Sequence, residues 1–190
     1  GGWSMDDHHP AGLYYPGSAT IFHPAPSPYG IPFRCLYSNN ITNLFCAGRN
    51  ISATHAALSS TRVMGTCSLL GQAVGTAAAL CVEQQCLPAE MSSQKIQTLQ
   101  ARLMEDDCWL PGKTRPLSKL MQAAQVSGSN GEATDALLDG HERETDKMPH
   151  TWTAPIGTSI ELKWETPQKV ECLRLIFDSN LNDDKRMPCR

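Results

Sequence analysis

Residues 43–80, NLFCAGRNISATHAALSSTRVMGTCSLLGQAVGTAAAL, constrain the fold more than any other stretch of this chain. Leu44–Ala47 reads as a buried strand that Gly48 ends. From Ser60 to Gln85 the pattern predicts one helix, with Ser59, Ser60 or Thr61 as N-cap and Pro88 beyond its end. Gly71, Gly75 and Ala79 recur every fourth position and make a smooth ridge that another backbone or a flat ligand can approach closely. Between strand and helix lies a polar crossing rich in Gly, Ser, Thr and Asn. A polar loop that feeds a helix N-terminus can hold an anionic or electron-rich ligand, because free N–H groups and the positive end of the helix dipole face it. Ser60, Thr61, Arg62, Val63 and Met64 are expected to supply that first turn. The residues alone leave a ligand site and a plain strand–helix connection both open.

The flanks differ in character. Prolines at 10, 16, 24, 26, 28 and 32 argue against long helices or central strands in residues 1–40, with room for a short strand at Ile31–Tyr37. Ser92–Met104 reads as an amphipathic cover helix, with Ile96, Leu99 and Leu103 on one face. After about Ala124 the chain becomes polar and turn-rich. TSIELKWE and KVECLRLIFD then alternate with period two, as the strands of an antiparallel unit do. Two such strands make no stable sheet by themselves, so this unit is expected to be incomplete.

Composition excludes some partners. Of 190 residues 41% are hydrophobic and 18% charged, and the net charge is -3, as in soluble globular proteins of one or two domains. The 16 basic residues form no stripe, which argues against nucleic acid or an anionic membrane surface as partner. No segment reads as a membrane span, because Gly71, Gln72 and Gly75 interrupt the most apolar one, Thr66–Val82. The eight cysteines include no C-x-x-C pair and no zinc-finger spacing, so no metal site is expected, and reduced thiols in a cytoplasmic setting are the default reading.

MDDHHP, from Met5 to Pro10, sets two carboxylates beside two imidazoles. This mixture suits proton transfer, and a hydrogen-bonded loop histidine is the bland alternative. Adjacent residues do not readily ligate one metal together.

Taken with GGWSMDDHHP and IPFRCLYSNNITN, the opening stretch resembles the C-terminal part of the FAD-dependent oxidoreductase family. The likeness covers about the first 110 residues, through KIQTLQARLMEDDCWLPG. It implies an α/β fold: the C-terminal segment of a two-dinucleotide-binding, Rossmann-like FAD domain, spanning 1–122. It implies that Gly48, Arg49 and Asn50 lie beside the ribityl and pyrophosphate part of FAD. It further implies that backbone N–H groups near Thr61, Arg62, Val63 and Met64 face the pyrimidine edge of the flavin, where they stabilise negative charge on the reduced ring.

His55 falls seven residues after Gly48, an offset at which similar flavoenzymes of the fumarate-reductase type carry a substrate-contacting His. Arg49 stands where those enzymes have the acidic residue of a Gly-Glu pair. His55, His8 and His9 are therefore the catalytic candidates. No G-x-G-x-x-G follows a strand here, and in the resembled family that fingerprint lies far upstream. The chain is accordingly expected to be a C-terminal piece whose partners are the N-terminal part of the same protein and a small-molecule substrate.

Residues 123–190 resemble the first strands of a galactose-binding-like, discoidin-type β-sandwich, which implies a partial antiparallel β-sandwich and a sugar or polyol alcohol as substrate. Trp152 and Trp164 could stack on a sugar or pack in a core. A non-catalytic carbohydrate-binding or interaction module, or an accessory region of a polysaccharide lyase or hydrolase, is the competing reading. Neither a G-x-S-x-G elbow nor a spaced carboxylate pair supports the hydrolytic one.

Overall fold

The computed structural model describes residues 1–24, 28–131, 134–143 and 150–177. They form two compact units, Gly1–Pro111 and Gly112–Arg190.

The first unit opens with a feature that the proline-rich sequence did not predict. Strand β1, Met5–His8, pairs antiparallel with β2, Thr20–His23, in the register Met5↔His23 to His8↔Thr20. Each is only four residues long; β1 ends before Pro10, and β2 lies between Pro16 and Pro24. The strands expected at Ile31–Tyr37 and Leu44–Ala47 do not form. Phe33–Leu36 is a 3-10 turn behind Pro32, and Tyr37↔Phe45 is an isolated bridge. A single bridge with no neighbouring ladder does not extend into a strand.

The helix expected over 60–85 is two helices. The Thr54 hydroxyl accepts from the Ala57 amide and starts α1, His55–Thr61, earlier than predicted. The Arg62 amide donates to Leu58 O at 3.0 Å and closes it. Val63 is then extended, at φ -79 and ψ 151, and α2 runs from Met64 to Glu83. Gly71 and Gly75 do not interrupt it, because glycine weakens a helix without breaking it. By length and composition, with mean hydropathy 1.4 over its best window, this 20-residue helix could cross a membrane, contrary to the sequence expectation. It also carries part of the core: Leu70, Ala77, Leu80 and Cys81 are buried.

Past α2 the chain turns at Gln85, in the left-handed region at φ 48. Helix α3, Pro88–Gln94, begins with Pro at its first position, and the Glu90 carboxylate accepts from the Leu87 amide at 2.7 Å. Helix α4, Ile96–Glu105, follows a break at Lys95, so the predicted 92–104 helix is also divided. Its apolar face is the predicted one. Leu99 and Leu103 join Ala77, Leu80, Cys81, Met91 and Cys108 in the main core, with Ile96 at its margin. A smaller cluster joins Leu36, Ile51 and Leu70.

In the second unit, α5, Lys119–Gln122, is capped by Ser118. Strand β3, Gln125–Gly128, pairs antiparallel with β4, Ile160–Lys163. Trp164 follows β4, and its indole N–H donates to Leu120 O at 2.8 Å. The second predicted strand does not form: 169–177 carries no regular structure, and Leu173, Leu175 and Phe177 are exposed. Alternation alone makes no strand without a ladder partner. Among the described residues this unit therefore holds one two-stranded sheet, not a sandwich.

Candidate active site

One buried hydroxyl ties helix α1 to the chain just before strand β1. Ser60 Oγ donates to Trp3 O at 2.6 Å and lies 2.5 Å from the Tyr29 hydroxyl. Arg62, just past α1, adds a guanidinium bond to Asp6 O at 3.0 Å. These contacts bring Asp6, Asp7 and His8 against His55, Leu58, Ser59 and Arg62 around a cleft of about 40 Å³. That is room for a few waters and far too little for a tricyclic ring.

Alternation along β1 divides the polar groups into two sets. Asp6 serves one: its Oδ2 lies 3.4 Å from Arg62 Nη2 and its Oδ1 lies 3.4 Å from His8 Nε2. Asp7 serves the other, with Oδ1 2.8 Å from His55 Nε2. The same His55 nitrogen lies 3.3 Å from His8 O. A single N–H cannot be directed well at both acceptors, and Asp7 Oδ1, though buried, lacks a well-aligned hydrogen bond. The His55 ring is 67% exposed. With Nε2 facing Asp7 and His8 O, Nδ1 is the nitrogen left to exchange a proton with a ligand. A carboxylate behind an imidazole holds its orientation and stabilises its protonated form.

Of the three histidines singled out in the sequence, the fold brings His8 and His55 together. His9 is held elsewhere. It stacks on Tyr15 with ring centroids 3.7 Å apart, and its Nδ1 accepts from the Ala11 amide. Asp7, the partner that gives His55 its chemical character, was not among the catalytic candidates. The two residues are 48 positions apart in the chain, which leaves no local signal of their contact, although the period-two alternation of MDDH separates Asp7 from Asp6 and His8.

The residues expected at a cofactor divide in a similar way. Gly48 has φ 79 and opens a 3-10 turn, Gly48–Asn50. The positive φ is the conformation for which glycine is suited, and it leaves Arg49 and Asn50 exposed just past the extended Ala47. Thr61 is buried in the last turn of α1, with its hydroxyl donating to Ala57 O at 3.2 Å. The Arg62 amide is engaged by Leu58 O and its side chain by Asp6. The amide donors of a helix start therefore begin not at Thr61 or Arg62 but at Met64, because Val63 is the N-cap of α2. No side chain caps that end. Met64 is exposed, and Gly65 has open space around it.

Residues 1–103 match the profile of the family described as FAD dependent oxidoreductase. Neither a curated protein nor a solved structure matches the chain.

Proposed function

This chain belongs to the FAD dependent oxidoreductase family, and from that membership we propose that it serves hydride transfer between an alcohol carbon of a sugar or related polyol and flavin, with the Asp7–His55 pair moving the accompanying proton. FAD supplies the hydride acceptor. The residues present suit such a group. The uncapped first turn of α2 offers amide donors and a positive dipole end to an electron-rich ring edge. The turn at Gly48, Arg49 and Asn50 offers exposed backbone and polar side chains to the rest of the cofactor.

The observation that carries this reading is the 2.8 Å contact between His55 Nε2 and Asp7 Oδ1 at an open cleft. His55 Nδ1 takes the hydroxyl proton as the carbon gives up hydride, and Asp7 stabilises the imidazolium that results. Arg62 has no part in the proton path; by holding Asp6 O it keeps β1 in the position that places Asp7 behind His55. Removing a positioned acid–base group costs about 100-fold or more.

The test uses the intact flavin-loaded protein and a panel of hexoses and hexitols, with bleaching of the flavin absorbance as readout. His55→Gln and Asp7→Asn should each lower the bleaching rate about 100-fold or more, with flavin content unchanged. Intact protein that takes up no FAD would overturn the cofactor role of these residues. Flavin that no sugar or polyol bleaches would remove that substrate class. Full rates in both variants would remove the proton role.

A further inference from the structure

We propose that Cys81 and Cys86 are a peroxide-sensitive modification site, which closes reversibly to a disulfide at the C-terminal end of α2.

The argument starts from the turn. Left-handed Gln85 folds the chain back so that the Cys86 amide donates to Cys81 O at 3.0 Å. With standard covalent lengths, that bond keeps the two Cα atoms within about 7 Å, the limit for bridging without backbone movement. Cys86 also packs against the core cluster that contains Cys81. Burial pushes the Cys81 thiol up to about 11, and a hydrogen bond with the Cys86 thiol pushes it the same way. Cys81 sits in the core with Leu80 and Met91, whereas Cys86 is partly exposed at its margin. Both are free thiols. The pair thus has one sulfur that an oxidant can reach and a second, sheltered one positioned to resolve the product.

The chemistry balances with hydrogen peroxide as oxidant. The Cys86 thiolate attacks one peroxide oxygen and the O–O bond breaks. The departing hydroxide takes a proton to become water, and Cys86 becomes a sulfenic acid. Cys81 sulfur then attacks Cys86 sulfur, the S–O bond breaks, and the Cys81 proton leaves with the oxygen as a second water. Two thiols are oxidised and one peroxide is reduced.

Glu83 lies between the two cysteines, which makes the product easy to read. The full chain, reduced and then freed of reductant, is treated with hydrogen peroxide, blocked with N-ethylmaleimide under denaturing conditions, cut after arginine and glutamate, and sequenced by tandem mass spectrometry, which tells Cys81 from Cys67 in the 63–83 peptide. The expected result is the 63–83 peptide joined through Cys81 to the 84–90 peptide, with Cys67 alkylated, the pair lighter by two hydrogens than the two thiol peptides and separated by dithiothreitol. Cys86→Ser should abolish the joined species and leave Cys81 alkylated. Cys81→Ser should leave Cys86 as a sulfenic acid that dimedone traps. Cys86 oxidised to sulfinic acid while Cys81 stays free, or Cys81 joined instead to buried Cys108, would overturn the proposal. Because Cys86 is at the margin of the core, its serine variant is readable even if Cys81→Ser fails to fold.

Discussion

Replacing Ser60 by alanine should unfasten β1 from α1. Ser60 is 3% exposed, and its hydroxyl lies within hydrogen-bond reach of both Trp3 O, at 2.6 Å, and the Tyr29 hydroxyl, at 2.5 Å. Alanine fits the space but leaves both partners without this contact. A net hydrogen bond contributes about 0.5–1.5 kcal/mol, and a buried group left unpaired costs about 1–3 kcal/mol. A central figure for the variant is about 2 kcal/mol, which lowers the melting temperature of a chain this size by roughly 4–8 °C. Calorimetry of the wild type, Ser60→Ala, Tyr29→Phe and the double variant forms a complete cycle. Because the two singles break one shared contact, the double should cost less than their sum, by about 0.5–1.5 kcal/mol. A Ser60→Ala melting temperature within a degree or so of wild type, or strict additivity in the cycle, would refute the fastening.

Three further outcomes follow from the packing. Leu99 is 2% exposed in the main core, so Leu99→Ala should lose about 2–5 kcal/mol in urea titrations. Gly140 has φ 75, and a Cβ there would clash with Arg115 O, so Gly140→Ala should destabilise the second unit by more than about 1 kcal/mol, seen as faster proteolysis of that unit. For Cys81, the folded thiol is raised from 9.0 to about 11. The folded state therefore holds more protons than the unfolded state in that window, and the contribution of this group is present below pH 9 and lost as pH rises towards 11. Denaturation midpoints of Cys81→Ala should show a shallower alkaline decline than wild type.

Elements whose cause is local were readable in advance. The apolar spacing of Ile96, Leu99 and Leu103 decides which face of α4 is buried, whatever surrounds it. The alternation of Ile160–Lys163 was also visible, but the strand forms because Gln125–Gly128 pairs with it. The break at Val63 was not readable, because its neighbours have ordinary helical propensities. The interruption comes instead from an earlier start at Thr54 and from the tie between Arg62 and Asp6, which lie 56 positions apart. The candidate site was legible in its residue types and not in its pairing. MDDHHP announced carboxylates and imidazoles, but only the meeting of β1 with α1 separates His8 from His9 and gives His55 its carboxylate. The segment KVECLRLIFD shows the converse: its pattern is strand-like, yet a strand is a property of two backbones.

The short strand beneath the cleft also limits what its sequence can tolerate. Side chains on a pleated ribbon change sides at each step, so one residue inserted between Trp3 and Asp6, with the pairing to β2 kept in place, would move each acid one place along and turn it to the opposite side. The carboxylate now tied to the guanidinium would move behind the imidazole, the second acid would move to the place of His8, and the tethered place would be left without an acid. The charge count and composition would hardly change while the division of labour was lost. The hairpin turn between β1 and β2 carries no such requirement, so this protein should accept length variation there far more readily than within those four residues.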